Sequence, residues 1–207
     1  MYSKNPYQLS LGKYSTHSIL TQLVGRDNDV LDFGCNEGYL GEICDPSNRF
    51  SGIEMMPSAA AKARSLYIRV VEGDLDYLDE INLSDQFDIL IFADVLEHLR
   101  YPEKVLKEAC LRWLRPYGRV LISLPNIANW KIRFGLLFGA FNYQETGILD
   151  RTHLHFYTFR TSLELITSAT LRPLSLRSGA TFFGPLLKVI PFARGLLSTN
   201  IIIEASR

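Results

Sequence analysis

The stretch that most constrains this chain is residues 30–41, VLDFGCNEGYLG: a short apolar run ending in an acid, a tight loop of glycines and small polar residues, then a helix start. Val30, Leu31 and Phe33 read as the end of a buried strand. Gly34 and Gly38 mark the turn into a helix whose N-terminus faces whatever rests on the loop. This is a nucleotide-type binding unit. A dinucleotide site calls for G-x-G-x-x-G, because the middle glycine lets the backbone approach a pyrophosphate at a helix N-terminus. Here Asn36 takes the middle place, and two carboxylates, Asp32 and Glu37, flank the loop. Carboxylates repel a pyrophosphate and suit a cation. Asn tolerates left-handed backbone better than most residues, so the loop survives the substitution.

Around this unit the pattern alternates strand and helix at the spacing of parallel βαβ units. Strands are expected at residues 30–33, 50–54, 68–72, 87–93 and 119–124, with helices at 37–44, 57–66 and 102–114 between them. Pro57 and Pro102 suit first helical positions. A leading helix is expected over 13–24, where Ile19, Leu20 and Leu23 share a face. After Pro125 the pattern changes to an aromatic helical segment at 126–139, a loop at 140–157, a helix at 158–169 and a strand at 171–177. An apolar, interrupted segment at 182–197 and a closing strand at 200–205 follow. No internal repeat or low-complexity linker divides the chain, so one domain over 1–207 is expected.

Several residues fall where chemistry is expected. Glu54 ends the second strand about 20 residues past Gly34, where an acid accepts hydrogen bonds from ribose hydroxyls in either a dinucleotide or an S-adenosylmethionine (SAM) site. Met55, beside it, is placed to lie against an adenine face or in the core. SAM carries a sulfonium and an ammonium group, and Asp32 at the strand tip suits the ammonium. Asp94 ends the fourth strand, where ligands bind in open α/β sheets, and Glu97 and His98 follow. The run GILDRTHLHFYT, residues 147–158, gathers Asp150, Arg151, His153 and His155 on an expected loop. A histidine there, or His98, suits removal of a proton from a hydroxyl acceptor. The competing reading is a strand edge, with Asp150 and Arg151 paired for structure.

In the order of these motifs the chain resembles a class I SAM-dependent methyltransferase over roughly residues 14 to 170. The resemblance implies a Rossmann-like α/β fold with a seven-stranded, mostly parallel sheet, an antiparallel last strand and helices on both faces. It implies SAM as cofactor, held by Asp32, Gly34, Cys35, Gly38, Glu54, Met55 and Asp94, with Asp74 accepting the adenine amine and the backbone of Leu75 addressing the ring. A turn-capping role competes for Asp74. Residues 1–25 would cover the cofactor, and 126–157 with 180–198 would form the substrate side. The spacing of Asp94, Glu97 and His98 also resembles the motif by which ubiquinone-pathway O-methyltransferases and small-RNA 3′-end methyltransferases hold Mg²⁺ or Mn²⁺, with His153 or His155 as a further ligand. Many metal-independent relatives carry Glu-His at this place, so no metal is expected.

Methyl transfer is an in-line displacement in which the protein mainly aligns the reactants and excludes water. The expected reaction is therefore methylation of a hydroxyl on a small molecule, sugar or lipid-linked acceptor, with His98 or His153 as base. An NAD(P)-dependent oxidoreductase shares the glycine loop and Glu54, but its pyrophosphate meets the wrong charges at Asp32 and Glu37. A non-catalytic membrane-surface or partner-binding module is the third class, raised by the apolar segments 130–141 and 182–192 with their interspersed Lys and Arg. Lid or dimer packing is the commoner use of such segments.

Composition sets the outer limits. With 47% hydrophobic and 21% charged residues in 207, this is an ordinary globular chain. Up to residue 99 it carries 7 Lys+Arg against 16 Asp+Glu, and after that 15 against 6. An acidic cofactor half facing a basic substrate half would suit an anionic acceptor, whereas solvated helix faces explain the same asymmetry without one. No nucleic-acid partner is expected, peripheral membrane contact stays open, and a monomer or homodimer is expected. Cys35, Cys44 and Cys110 lack metal-ligand spacing and fit reduced thiols. The opening MYSKNPYQLS lacks the apolar core of a signal peptide, so a cytoplasmic protein is expected.

Overall fold

Val30, Leu31 and Phe33 are fully buried, as a strand covered on both faces by crossover helices requires. In the computed structural model, which describes residue 12, residues 14–179 and residues 193–207, they belong to β1 (Asp29–Phe33). This strand runs parallel to β2 (Arg49–Glu54) on one side and β4 (Phe87–Ala93) on the other. Beyond them lie β3 (Arg69–Glu72), parallel to β2, and β5 (Leu114–Pro125), parallel to β4. β7 (Asn200–Ser206) enters antiparallel between β5 and β6 (Arg172–Gly179), giving the order β3-β2-β1-β4-β5-β7-β6. Strand order reverses between β1 and β4, which opens a crevice at their C-terminal ends.

The helices are shorter than the sequence pattern suggests, because their ends are set by capping. α1 (Thr16–Val24) starts three residues late, where the Ser15 hydroxyl accepts from the Ser18 amide. α2 (Tyr39–Ile43) begins only after Gly38, whose left-handed φ of 88° completes the loop. α3 (Pro57–Ala63) and α4 (Pro102–Trp113) start on their prolines as expected. α4 runs directly into β5, so that strand begins five residues earlier than its apolar run. α5 (Trp130–Leu137) follows β5, and a Thr158–Thr161 capping box starts α6 (Phe159–Ser168). Of the expected substrate-side segment 180–198, residues 180–192 lie outside the described residues, as do residues 1–11 and 13 of the leading segment.

Two apolar layers sandwich the sheet. Leu20 and Val24 of α1 pack with Val30, Ile89 and Ile91 on one side; Phe33, Phe92, Leu106 and Trp113 fill the other. Phe33 stacks on Phe92 at 4.1 Å between ring centroids, and the Trp113 indole N–H reaches the Leu83 carbonyl at 2.8 Å. α5 behaves differently. None of its residues is buried, and Phe134 and Leu137 are exposed. Among the described residues no helix is long and apolar enough to cross a membrane.

Replacing Trp113 by Phe leaves the buried Leu83 carbonyl without its donor. The expected cost is about 1–3 kcal/mol, seen as a lower urea midpoint with an unchanged slope; an unchanged midpoint would remove this bond from the account of core stability.

Candidate functional site

The loop after β1 is held from two sides. The Gly34 and Cys35 amides both donate to the Ile53 carbonyl, at 2.8 and 3.1 Å, and Asn36 takes the left-handed φ of 49° that its sequence position required. Its amide donates to Oε2 of Glu54 at 2.9 Å, while Oε1 accepts from the Met56 amide at 2.8 Å. Glu54 is thereby fixed at the end of β2, and each carboxylate oxygen keeps a further lone pair for a ligand hydroxyl. Met55, beside it, is exposed.

Asp32 sits differently from the open strand-tip acid expected. It is only 2% exposed, and its Oδ2 accepts from the Tyr67 hydroxyl at 2.7 Å. The reason is that β1 is covered on both faces, so its penultimate residue lies beneath the loop. Burial raises the Asp32 carboxyl to about 7, the Tyr67 hydrogen bond acting against that rise and the Glu54 charge adding to it. Cys35 is buried, and burial holds its thiol far above its usual range, so it stays neutral. Glu37 pairs with Lys62 at 2.8 Å. Asp74 does serve the turn: its Oδ1 accepts from the Asp76 amide at 2.9 Å at the head of the 3-10 turn Leu75–Glu80, with Leu75 buried.

Asp94 follows β4 directly with a φ of 52°, and its Oδ1 accepts from the Ser123 hydroxyl and the Asn200 side-chain amide, each at 3.0 Å. Three strands thus converge on one carboxylate. Burial lowers the His17 imidazole from its ordinary value while the Asp94 charge works to raise it, a pairing across the chain that sequence spacing does not reveal.

Beside Asp94 is a second concentration of chemistry. Glu97, in the turn Leu96–His98, is wholly buried, and neither side-chain oxygen has a hydrogen-bond partner among the described residues. His153 Nε2 lies 3.9 Å from its Oε1, and the His98 and His153 rings meet edge to face at 4.7 Å. The loop that brings His153 there is pinned by its own backbone, since the Leu154 and His155 amides both donate to the Glu97 carbonyl. His98 Nδ1 lies 3.3 Å from the Thr152 carbonyl, and His153 Nδ1 lies 3.2 Å from that of Ile148. A carbonyl only accepts, so each neutral ring carries its proton on Nδ1 and keeps the lone pair on Nε2. Burial lowers both imidazoles and holds the Glu97 carboxyl well above the usual carboxylate range.

The ligand atoms of Glu97, His98 and His153 all lie within 4.8 Å of one another. One carboxylate and two imidazole lone pairs fit a divalent ion, with Asp94 committed to Ser123 and Asn200 instead of joining them. Of the competing strand-edge reading only isolated bridges are found, Asp150 with Gln144 and Tyr157 with Asn126, and Asp150 and Arg151 do not pair with each other. Asp150 accepts from the Thr152 amide, Arg151 pairs with Glu145, and His155 lies near Tyr157 outside the cluster. Ile148 also lines a cavity of about 490 Å³ whose walls include Trp130, Ile132, Gln144, Leu149 and Thr199.

The family described as methionine biosynthesis protein MetW matches residues 15–176. A probable S-adenosylmethionine-dependent methyltransferase of Mycolicibacterium smegmatis is 32% identical over 130 residues, covering 61% of this chain and 49% of that protein. A ubiquinone biosynthesis O-methyltransferase of Bradyrhizobium diazoefficiens is 33% identical over 110 residues, 49% of this chain and 41% of that protein. The chain therefore spans about half the length, or less, of these curated relatives. Among solved structures, a SAM-dependent methyltransferase from Archaeoglobus fulgidus superposes with a TM-score of 0.62 at 16% identity, over 93% of this chain and 95% of that one. That likeness establishes the fold.

Because the Glu97 carboxyl is raised in the folded state, its contribution to stability is full below about pH 4 and is lost as pH rises. In chelator-treated protein, Glu97→Gln should match wild type near pH 4 and exceed it by roughly 1–3 kcal/mol at pH 8, measured by urea unfolding. A variant less stable than wild type at pH 8 would contradict the burial of an unpaired acid.

Proposed function

The chain belongs to the family described as methionine biosynthesis protein MetW, and from that premise we propose that it transfers a methyl group from SAM to a hydroxyl oxygen of a small-molecule acceptor. The observation that carries the cofactor reading is the run of acids along the crevice: Asp32 beneath the loop of β1, Glu54 at the end of β2 and Asp74 just past β3. An adenosine with a cationic methionine tail suits that row; the phosphates of a dinucleotide would lie over a loop flanked by the carboxyls of Asp32 and Glu37. The relatives named as SAM-dependent methyltransferases support it.

Gly34, Cys35 and Gly38 supply the backbone bed, Glu54 the ribose acceptor, and Asp74 with Leu75 the adenine contacts. The acceptor enters through the cavity at α5, where Trp130, Ile132 and Leu149 give an apolar wall and Lys131 and Gln144 a polar one. His153, or His98 across from it, takes the hydroxyl proton on Nε2 as the methyl group moves. Removing water and aligning the two oxygen-to-carbon partners supply the remainder of the rate. A relative named for ubiquinone O-methylation supports oxygen as the acceptor atom.

Glu97 favours a second reading of the same cluster, in which Glu97, His98 and His153 hold a divalent metal. When bound, such an ion lowers the pKa of a coordinated hydroxyl. Two imidazoles favour a first-row transition ion such as Mn²⁺ or Zn²⁺ over Mg²⁺, and each histidine already hydrogen-bonds a carbonyl through Nδ1, as metal-ligating histidines do.

Isothermal titration should show SAM binding in the micromolar range, weakened roughly 10- to 100-fold by Glu54→Ala through loss of charge-assisted hydrogen bonds. Absence of binding to wild type would remove the cofactor reading. For the metal, thermal unfolding of chelated protein decides: Mn²⁺ or Zn²⁺ should raise the midpoint of wild type and not of Glu97→Gln or His153→Ala. Identical shifts in all three, or none, leave the histidines as bases.

A further inference from the structure

Tyr67 occupies a slot that the chain builds by leaving out side chains. A Cβ on Gly41 would lie 2.4 Å from the Tyr67 ring, one on Gly52 would lie 3.0 Å from it, and one on Gly38 would lie 3.3 Å from it. Phe50 closes the slot with its ring 5.3 Å away, and Tyr67 is 4% exposed. At the end of the slot the hydroxyl does two things. It donates to Asp32 Oδ2 at 2.7 Å and accepts from the Gly41 amide at 3.3 Å. That second bond ties it to the first turn of α2, directly after the cofactor loop.

We propose that Tyr67 is a positioning residue that favours the ionised form of Asp32 beneath the loop, so that a negative charge is populated near neutral pH under the place where the cofactor's ammonium group binds. The inference rests on the SAM reading and deepens it, since it assigns a group that sets the charge of the site without touching the cofactor. Its physical basis is direct. Asp32 has almost no contact with bulk water to stabilise its charge, and an O–H donor aimed at one oxygen favours the carboxylate over the carboxylic acid. The other groups facing Asp32 do not help it ionise. Glu54 on β2 is negative; Cys35 in the loop and Cys44 after α2 are thiols that burial keeps neutral. The Tyr67 phenol, itself held far above its usual range by burial and by Asp32, stays a donor across the working pH. With burial pulling Asp32 to about 7 even with this donor in place, loss of the hydroxyl leaves the acid largely neutral at pH 7.

The test separates the Tyr67–Asp32 link from the cofactor reading. A carboxyl ¹³C titration of Asp32 in the free protein, wild type against Tyr67→Phe, needs no ligand; the inflection should move up by about one pH unit in the variant. Binding is then measured from pH 6 to 8.5 with two ligands: S-adenosylhomocysteine, which carries the ammonium group, and methylthioadenosine, which lacks it. Tyr67→Phe should weaken S-adenosylhomocysteine up to about tenfold at pH 6.5 and less at pH 8.5, while methylthioadenosine is unaffected. In an Asp32→Asn background, the same change should have no further effect on either ligand. An unmoved Asp32 inflection overturns the proposal, and so does equal weakening of both ligands, which marks Tyr67 as packing alone. If the inflection moves and wild type binds neither ligand, the cofactor reading fails and takes the ammonium role with it.

Discussion

β1 and β4 are buried on both faces, and that burial dictates where polar chemistry can sit. A strand with apolar layers above and below it carries charge cheaply only at its ends. In a parallel sheet all the C-terminal ends lie along one edge, and here they place Asp32, Glu54, Asp74 and Asp94 at or just past that edge. The reversal of strand order between β1 and β4 opens a crevice on that edge, beside the loop of β1. The core and the site are therefore consequences of one arrangement: stacked Phe33 and Phe92 hold the two central strands together just below the acids they present.

The acids at this edge are held at different depths, and depth sorts their work. Glu54 is bonded to two backbone amides and keeps lone pairs for a ligand, which suits direct recognition. Asp32 lies under the loop, where it can act by its charge and not by touch. Glu97 is deeper still, wholly enclosed without a partner among the described residues. A buried carboxyl in that state costs folding free energy, and such a cost persists at sites where a proton, a ligand or an ion completes the arrangement. The two histidines beside it, each with its Nε2 lone pair free of the backbone, make Glu97 the centre of a chemical cluster and not an isolated defect.

α5 buries none of its residues. Its exposed Phe134 and Leu137 show that the apolar segment near residue 130 is not core. The helix instead lines a cavity shared with Ile148, whose carbonyl meets His153, and the loop that follows returns to the Glu97 carbonyl through the Leu154 and His155 amides.

The fold was legible because hydrophobic periodicity and turn chemistry are local. The five parallel strands, the prolines at the starts of α3 and α4, and the left-handed Asn36 could each be read from a few neighbouring residues. Element ends were less legible, since Ser15 and Thr158 fix them by side-chain hydrogen bonds and Gly38 by its left-handed backbone, none of which periodicity registers. Within the site, sequence alone placed Glu54 at a strand end and marked His98 and His153 as separate candidates. It could not show that residues 55 apart in the chain share one ring contact, that Asp94 is bound by Ser123 and Asn200, or that Tyr67 reaches Asp32. Those facts depend on how loops fold back across the sheet, and the pattern that encodes them is spread over the whole chain. The sequence by itself determined which residues line the sheet edge; only the tertiary structure decided which are open, which are buried and which meet, because desolvation and hydrogen bonding are set by surroundings that no local spacing contains.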